Sequence, residues 1–174
     1  MSSRWRCSCG RAAVALEIER KFRVTGDAWR AAAEHVEELI QGYLNLEGGA
    51  ITRVRIAGDR AWLNLKGATL DIVRHEFEYP IPLTDAREML AHLCVGPPVE
   101  KRRHHVRHDG RLWEVDEFSG ANAGLVVAEI ELEHPDAPIE LPPWVGREVS
   151  HEPRFLNISL VHHPYRDWTV VERQ

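Results

Sequence analysis

A chain of 174 residues, 44% of them hydrophobic, has the size of one domain with a sizeable core. Its net charge of −5 and well-mixed signs exclude a general basic surface for nucleic acid and long single-sign tails. No apolar run approaches the ~18 residues of a membrane span, and the opening MSSRWRCSCGRAAVA lacks the apolar stretch of a signal peptide.

The three cysteines are Cys7, Cys9 and Cys94. Cys7 and Cys9 have the wrong spacing for a zinc knuckle. Free thiols in a reducing cytoplasm are the expectation, and a redox or metal pair at Cys7 and Cys9 is the alternative. Residues 1–15 are expected to be a poorly ordered tail, and residues 16–174 a single domain.

In chain order, Leu16 to Val24 alternates and reads as a strand. Thr25 and Asp27 are N-cap types, and Ala28 to Ile40 places Ala32, Val36, Leu39 and Ile40 on one side of an amphipathic helix. A strand at Gln41-Gly42-Tyr43-Leu44 and a turn at Glu47-Gly48-Gly49 follow. Ile51–Ala57 and Ala61–Lys66 form a hairpin about Gly58-Asp59, and Arg74–Ile81 is the next strand. Thr84 is expected to cap a second helix running to about Cys94, which Gly96-Pro97-Pro98 stops. Val99–Arg107 and Arg111–Phe118 are strands joined at Asp109-Gly110, a strong hairpin signal. A loop from Ser119 to Gly124 leads to a strand at Leu125–Glu133. His134–Pro143 is a Pro-rich connection, and Val149–Val161 is irregular and helical.

Seven strand-like segments carry paired polar residues two positions apart: Glu17 and Glu19, Arg53 and Arg55, Asn64 and Lys66, Glu76 and Glu78, Lys101 and Arg103, Glu114 and Asp116, Glu129 and Glu131. A strand has a period of two, so each pair shares one face and the mostly apolar residue between them takes the other. The order of a soluble sandwich is therefore inverted. The prediction is an α+β fold, an eight-stranded closed antiparallel β-barrel with a charged lumen and helices packed outside. Ile18, Phe22, Val54, Ile56, Leu63, Leu65, Ala128 and Ile130 would face outward into a core beneath the helices. So many charges in a dry interior would each cost several kcal/mol, so the tunnel is expected to be wet and open at both ends. Its bases could grip phosphate oxygens, and its acids are hard oxygen ligands suited to Mg²⁺ or Mn²⁺. The competing arrangement is a half-exposed sheet carrying cross-strand ion pairs on its outer face. The histidines His104, His105, His108, His162 and His163 lack zinc spacing, and Ser119 and Ser159 lack the setting of a nucleophile.

Leu-Glu-Ile-Glu-Arg-Lys-Phe at residues 16–22 contains Glu-x-Glu-x-Lys, and the chain resembles the CYTH superfamily of triphosphate tunnel metalloenzymes over about residues 16–161. Gln41-Gly42-Tyr43-Leu44 is similar to that family's second-strand motif. Arg53-x-Arg55, Lys66, Arg74-x-Glu76-x-Glu78, Lys101-x-Arg103, Asp116 and Glu129-x-Glu131 follow in the family's order. The resemblance implies substrate binding by Lys21, Arg53, Arg55, Lys66, Arg74, Lys101 and Arg103, with Arg154 reaching in from a closing segment Arg154-Phe155-Leu156-Asn157. It implies metal binding by Glu17, Glu19, Glu76, Glu78, Asp116, Glu129 and Glu131, and a catalytic Lys21–Tyr43 pair that positions or deprotonates water. Leu156 and Phe155 depart from the family's usual Lys and Tyr.

The function so implied is Mg²⁺- or Mn²⁺-dependent hydrolysis of inorganic triphosphate in the cytoplasm. The partner would be a small polyphosphate rather than nucleic acid or membrane, and a homodimer is left open. The alternatives are a class IV-type adenylyl cyclase, a thiamine triphosphatase, or a non-catalytic polyphosphate- or nucleotide-binding module.

Overall fold

The computed structural model describes residues 15–67 and 72–174. The expected tail lies outside them, except for Ala15. Cys7 and Cys9 also lie outside.

The strands are β1 (Ala15–Val24), β2 (Ala33–Tyr43), β3 (Ala50–Ala57), β4 (Arg60–Gly67), β5 (Val73–Pro80), β6 (Val99–His108), β7 (Arg111–Phe118), β8 (Val126–Glu131) and β9 (Val145–Glu148). The helices are α1 (Leu83–His92) and the single turn α2 (Ser159–His162), with short 3₁₀ turns between elements. The sheet runs β5-β4-β3-β2-β6-β7-β8-β1-β9, and a further β5–β1 pairing closes the first eight strands into a ring. Every pairing is antiparallel. Along its length β1 pairs with β8 through Glu19–Arg23, with β5 through Ala15–Ile18 and with β9 through Phe22–Val24. The expected closed eight-stranded barrel is present, with β9 as an additional strand.

Ala28–Ile40 is not a helix. A 3₁₀ turn at Ala28–Arg30 is followed by β2, which begins at Ala33. The Ala, Glu and Leu residues favour a helix locally, but propensity is a weak prior against tertiary pairing. β2 is registered with β6 from Ala33↔Val106 to Gln41↔Val99 and with β3 from Leu39↔Ala57 to Tyr43↔Arg53. A helix here would leave both neighbours with an open edge, and the ring could not close. Likewise Pro82, not Thr84, stands at the N-cap of α1. Asp109 and Gly110, with φ of 48° and 72°, make the left-handed two-residue turn that suits the twist of the β6–β7 hairpin.

The apolar face points outward, and little of it is covered by helix. Ile18, Phe22, Trp113, Val115, Ala128, Ile130 and Leu132 pack under Trp29 of the 3₁₀ turn and Trp144 of the segment before β9. The residues that would have made the first expected helix thus contribute a single covering indole. α1 covers the other side, where Ala86 meets Val54 and Ala61. A third cluster joins Tyr43, Val99, Phe118 and Val127 to Phe155, Leu160, Val161 and Trp168. Those four strand residues alternate in step with Arg53, Lys101, Asp116 and Glu129, so they face the lumen. Residues 153–161 therefore pack across one end of the barrel, which is a cup and not the doubly open tunnel expected.

Leu90 of α1 and Cys94 just beyond it pack against β2 at Gly42, where an added Cβ would stand 2.5 Å from Cys94 Sγ and 2.8 Å from Leu90 Cδ2. Gly42→Ala is expected to lower the unfolding free energy by about 1–3 kcal/mol. Cys94→Ala in the same chain should recover part of that loss. Urea denaturation of the parent, the single and the double variant measures both effects, and an unchanged midpoint for Gly42→Ala would rule the contact out as a constraint.

Candidate active site

The lumen is a cavity of about 1000 Å³. The period of two brings Glu17, Glu19 and Lys21 from β1, Arg53 and Arg55 from β3, Lys66 from β4, and Arg74, Glu76 and Glu78 from β5 to its wall. Lys101 and Arg103 come from β6, Glu114 from β7, and Glu129 and Glu131 from β8. Gln41 and Tyr43 of β2 complete the ring, and Leu156, Asn157 and Ile158 line the end closed by the tail.

Almost every charge is engaged. Lys21 Nζ donates to Glu129 and stands 3.4 Å from Glu19. Arg55 pairs with Glu78 at 2.7 Å, and Arg53 lies 3.5 Å from Glu76. Lys66 lies between Glu17 at 3.1 Å and Glu76 at 2.8 Å, while Arg74 meets Glu17 at 2.6 Å and Glu19 at 3.2 Å. Lys101 donates to Asp116; Arg103 reaches Asp116 at 2.7 Å, Glu129 at 2.6 Å and also Glu114.

Around the ring the signs segregate. β4, β3 and β6 present Lys66, Arg53, Arg55, Lys101 and Arg103, with neutral β2 between β3 and β6. β7, β8, β1 and β5 present the carboxylates, and Lys21 and Arg74 are set among them.

These surroundings fix protonation. Burial disfavours the Lys21 ammonium, but Glu129 and Glu19 outweigh it and raise its pKa well above the ordinary value. Lys21 is thus a proton donor in this state and not a base. Burial pulls Lys101 down to about 8, opposed by Asp116 and aided by Arg103. Burial raises the Tyr43 phenol, although Arg53, Lys21 and Arg74 work against it, so it is neutral. Burial opposes ionisation of Glu129, but Lys21, Lys101 and Arg103 hold its pKa well below the usual range. Glu131 is raised, first by burial and then by Glu17, Glu114, Glu19 and Glu76. It lies directly across from Glu19 and has no cationic partner among the described residues.

That corner fits a divalent cation in its chemistry, since crowded carboxylates directly opposed across strands repel until a cation joins them. Among the described residues no three such side chains already converge as ligands; the oxygens of Glu17, Glu19 and Glu129 are turned toward Lys and Arg.

Two of the residues expected in the site sit differently from the rest. Arg154 is outside the cavity wall, paired with Glu152 at 2.6 Å and lying over the rings of Phe155 and Trp168. Asp116 has no exposed surface and is saturated by Lys101 and Arg103, as their counter-ion from behind. Sequence reasoning places Gln41 in the second-strand motif without a role; it is buried and donates through Nε2 to the Tyr43 hydroxyl at 3.1 Å. It likewise places Asn64 in the β4 pair without a role; the amide is fully buried. The available signal was position alone, since each lies two residues from a recognised site residue.

Asp116 and Glu131 should respond oppositely to loss of charge. Asp116→Asn leaves two buried cations short of a partner and is expected to cost about 3–5 kcal/mol of stability. Glu131→Gln relieves repulsion and should leave stability unchanged or raised. Denaturant midpoints for both variants without added metal distinguish the two roles, and equal losses would contradict the assignment.

The chain matches the CYTH domain family over residues 15–165. It is 45% identical over 152 residues to an inorganic triphosphatase of Acetivibrio thermocellus, covering 87% of this chain and 97% of that one. It is 36% identical over 148 residues to an inorganic triphosphatase of Nitrosomonas europaea, covering 83% and 95%. A solved inorganic triphosphatase structure superposes with a TM-score of 0.62 at 34% identity, covering 84% of this chain and 95% of the other. With that match over most of its length, and the charged barrel the match calls for, this chain belongs to the CYTH domain family.

Proposed function

We infer that this chain hydrolyses inorganic triphosphate to pyrophosphate and phosphate, with a divalent cation, Mg²⁺ or Mn²⁺. The observation that carries the reading is the segregation of charge around the lumen, which offers a cationic wall to phosphate and a carboxylate wall to metal within one cavity. The relatives named as inorganic triphosphatases support the choice of substrate. By the same reading the protein is cytoplasmic and its partner is a small polyphosphate.

Arg53, Arg55, Lys66, Lys101 and Arg103 bind phosphate oxygens by charge-assisted hydrogen bonds, and Arg74 does so from the acidic side. Glu17, Glu19, Glu129 and Glu131 would hold the cation directly, with Glu76 and Glu78 adding negative charge beside it from the β5 wall. When bound, that cation supplies Lewis-acid polarisation of phosphoryl oxygens and a water of lowered pKa. Asp116 keeps Lys101 and Arg103 in place. In the reaction the water oxygen bonds to the terminal phosphorus, the phosphorus–bridging-oxygen bond breaks with its electron pair leaving on pyrophosphate, and the water's proton ends on an oxygen of the released phosphate. The ammonium of Lys21 and the neutral hydroxyl of Tyr43 are donors, so their part is to orient and stabilise developing negative charge. With Glu129 and Glu19 beside it, Lys21 is held as an ammonium before the cation and substrate enter.

The expected outcome is phosphate release from triphosphate only when Mg²⁺ or Mn²⁺ is added, with no cyclic AMP formed from ATP. A panel of triphosphate, ATP, thiamine triphosphate and pyrophosphate, each with both metals, checks this. Cyclic AMP production, or no release from triphosphate under either metal, overturns the reading. Lys21→Ala should lower kcat at least about tenfold with a smaller change in KM. A variant with parental kcat and a raised KM would make Lys21 a binding residue only.

A further inference from the structure

Asn64 is the neutral member of the β4 pair, two residues from Lys66 on the lumen face, and it has no exposed surface. Its Nδ2 donates to Glu76 Oε1 at 2.9 Å and to Glu78 Oε2 at 2.5 Å. Carboxylates only accept, so the two acids fix which way the amide faces. Asn64 lies directly across from Glu78, and Glu76 is the next residue of β5 on the same face. The price of this geometry is a buried carbonyl, Oδ1, with no hydrogen-bond partner.

The cationic partners of these acids are residues assigned above to phosphate. Glu78 is held by Arg55, and Glu76 by Arg53 and Lys66. A polyanion entering the cavity competes for those cations. Once Arg55 turns to phosphate, Asn64 is the remaining hydrogen-bond partner of Glu78 among the described residues. An amide is neutral, so phosphate does not draw it away. A lysine or arginine at position 64 would hold the acids only until substrate arrived.

We propose that Asn64 is a positioning residue for polyanion binding, pinning Glu76 and Glu78 to the β4–β5 wall so that Arg53 and Arg55 can exchange carboxylate for phosphate. This rests on the triphosphatase reading in naming triphosphate as the anion. Without Asn64 the acids depend wholly on the cations, which are then harder to release. The acids are also free to turn toward the bound anion. Both effects weaken affinity and leave the chemistry at the reacting phosphorus largely intact.

The test compares the parent with Asn64→Leu, which removes both donors at similar volume, and with Asn64→Thr, which keeps one hydroxyl donor. Triphosphate affinity is read by calorimetry without metal, and KM and kcat by phosphate release with Mg²⁺. Asn64→Leu should weaken affinity and raise KM about tenfold, with kcat changed less than about threefold, and Asn64→Thr should fall between it and the parent. In a Glu78→Gln background the same substitution should cost no more than about threefold, because part of the repulsion it releases is gone. Affinity and KM within about twofold of the parent, or an equal loss in both backgrounds, overturns the proposal. If Asn64→Leu does not fold, Asn64→Thr in the two backgrounds decides the matter by the same comparison. A parent that binds triphosphate but releases no phosphate refutes the hydrolase reading and leaves the affinity comparison decisive for Asn64. A parent that binds triphosphate under neither condition overturns both.

Discussion

Charge compensation inside a closed wall is the constraint on which the rest of this structure depends. Lys21, Arg53, Lys101, Asp116 and Glu129 are all buried, and an uncompensated charge in such a place costs several kcal/mol. Each is therefore met by an opposite charge, on a neighbouring strand or, for Arg53 and Glu76, across β4. Glu17 is shared by Lys66 and Arg74, Glu129 by Lys21 and Arg103, and Asp116 by Lys101 and Arg103. Such sharing requires register. A slip of one residue in any strand would send its charges outward and its apolar residues into the lumen. The ion pairs thus specify the barrel as much as they stabilise it.

An interior given over to charge moves the hydrophobic core to the outside of the wall, where something must cover it. The cover is economical: one helix over β3 and β4, an indole from a single 3₁₀ turn, another from the segment leading into β9, and the tail across one end. Trp29 and Trp113 have almost no exposed surface, and large aromatic side chains bury much area per residue. This explains how so little helix among the described residues covers the outer face of an eight-stranded ring. It also binds site to scaffold. Val106 of β6 and Trp113 and Val115 of β7 anchor in the outer cluster while Arg103, Glu114 and Asp116 project inward.

Much of this was legible in the sequence, because a strand's period of two turns a list of charges into a face. The barrel, its charged lumen and the cavity positions of Arg53, Lys66, Glu76, Lys101 and Glu129 follow from that period. What was not legible depended on partners distant in sequence. β2 reads locally as helix, and only its ladders to β3 and β6 make it a strand. β9 is four residues long and is defined by its contact with the end of β1. Arg154 has the right charge in the right segment, yet Glu152 and the faces of Phe155 and Trp168 hold it outside the cavity. Asp116 alternates correctly but lies behind two cations, and spacing alone cannot report depth. Gln41 stands in the second-strand motif and Asn64 in the β4 pair, so their places were legible, but a search that follows charge gives neutral side chains no role.

Their neutrality has a physical place in the site. The lumen's cations are already satisfied before substrate arrives, so binding a polyphosphate exchanges one set of ion pairs for another. The cations that turn to phosphate leave carboxylates behind, and on the acidic side those carboxylates suit a divalent cation. Such an exchange needs fixed points that neither phosphate nor metal attracts strongly. Amide groups are such points. Asn64 stands between β3's arginines and β5's acids, and Gln41 stands beneath the Tyr43 hydroxyl midway between the cations of β3 and β6. Charge gives the cavity its affinity, and on the proposal made above the Asn64 amide, where the cationic β4 meets the acids of β5, holds that wall while the partners change.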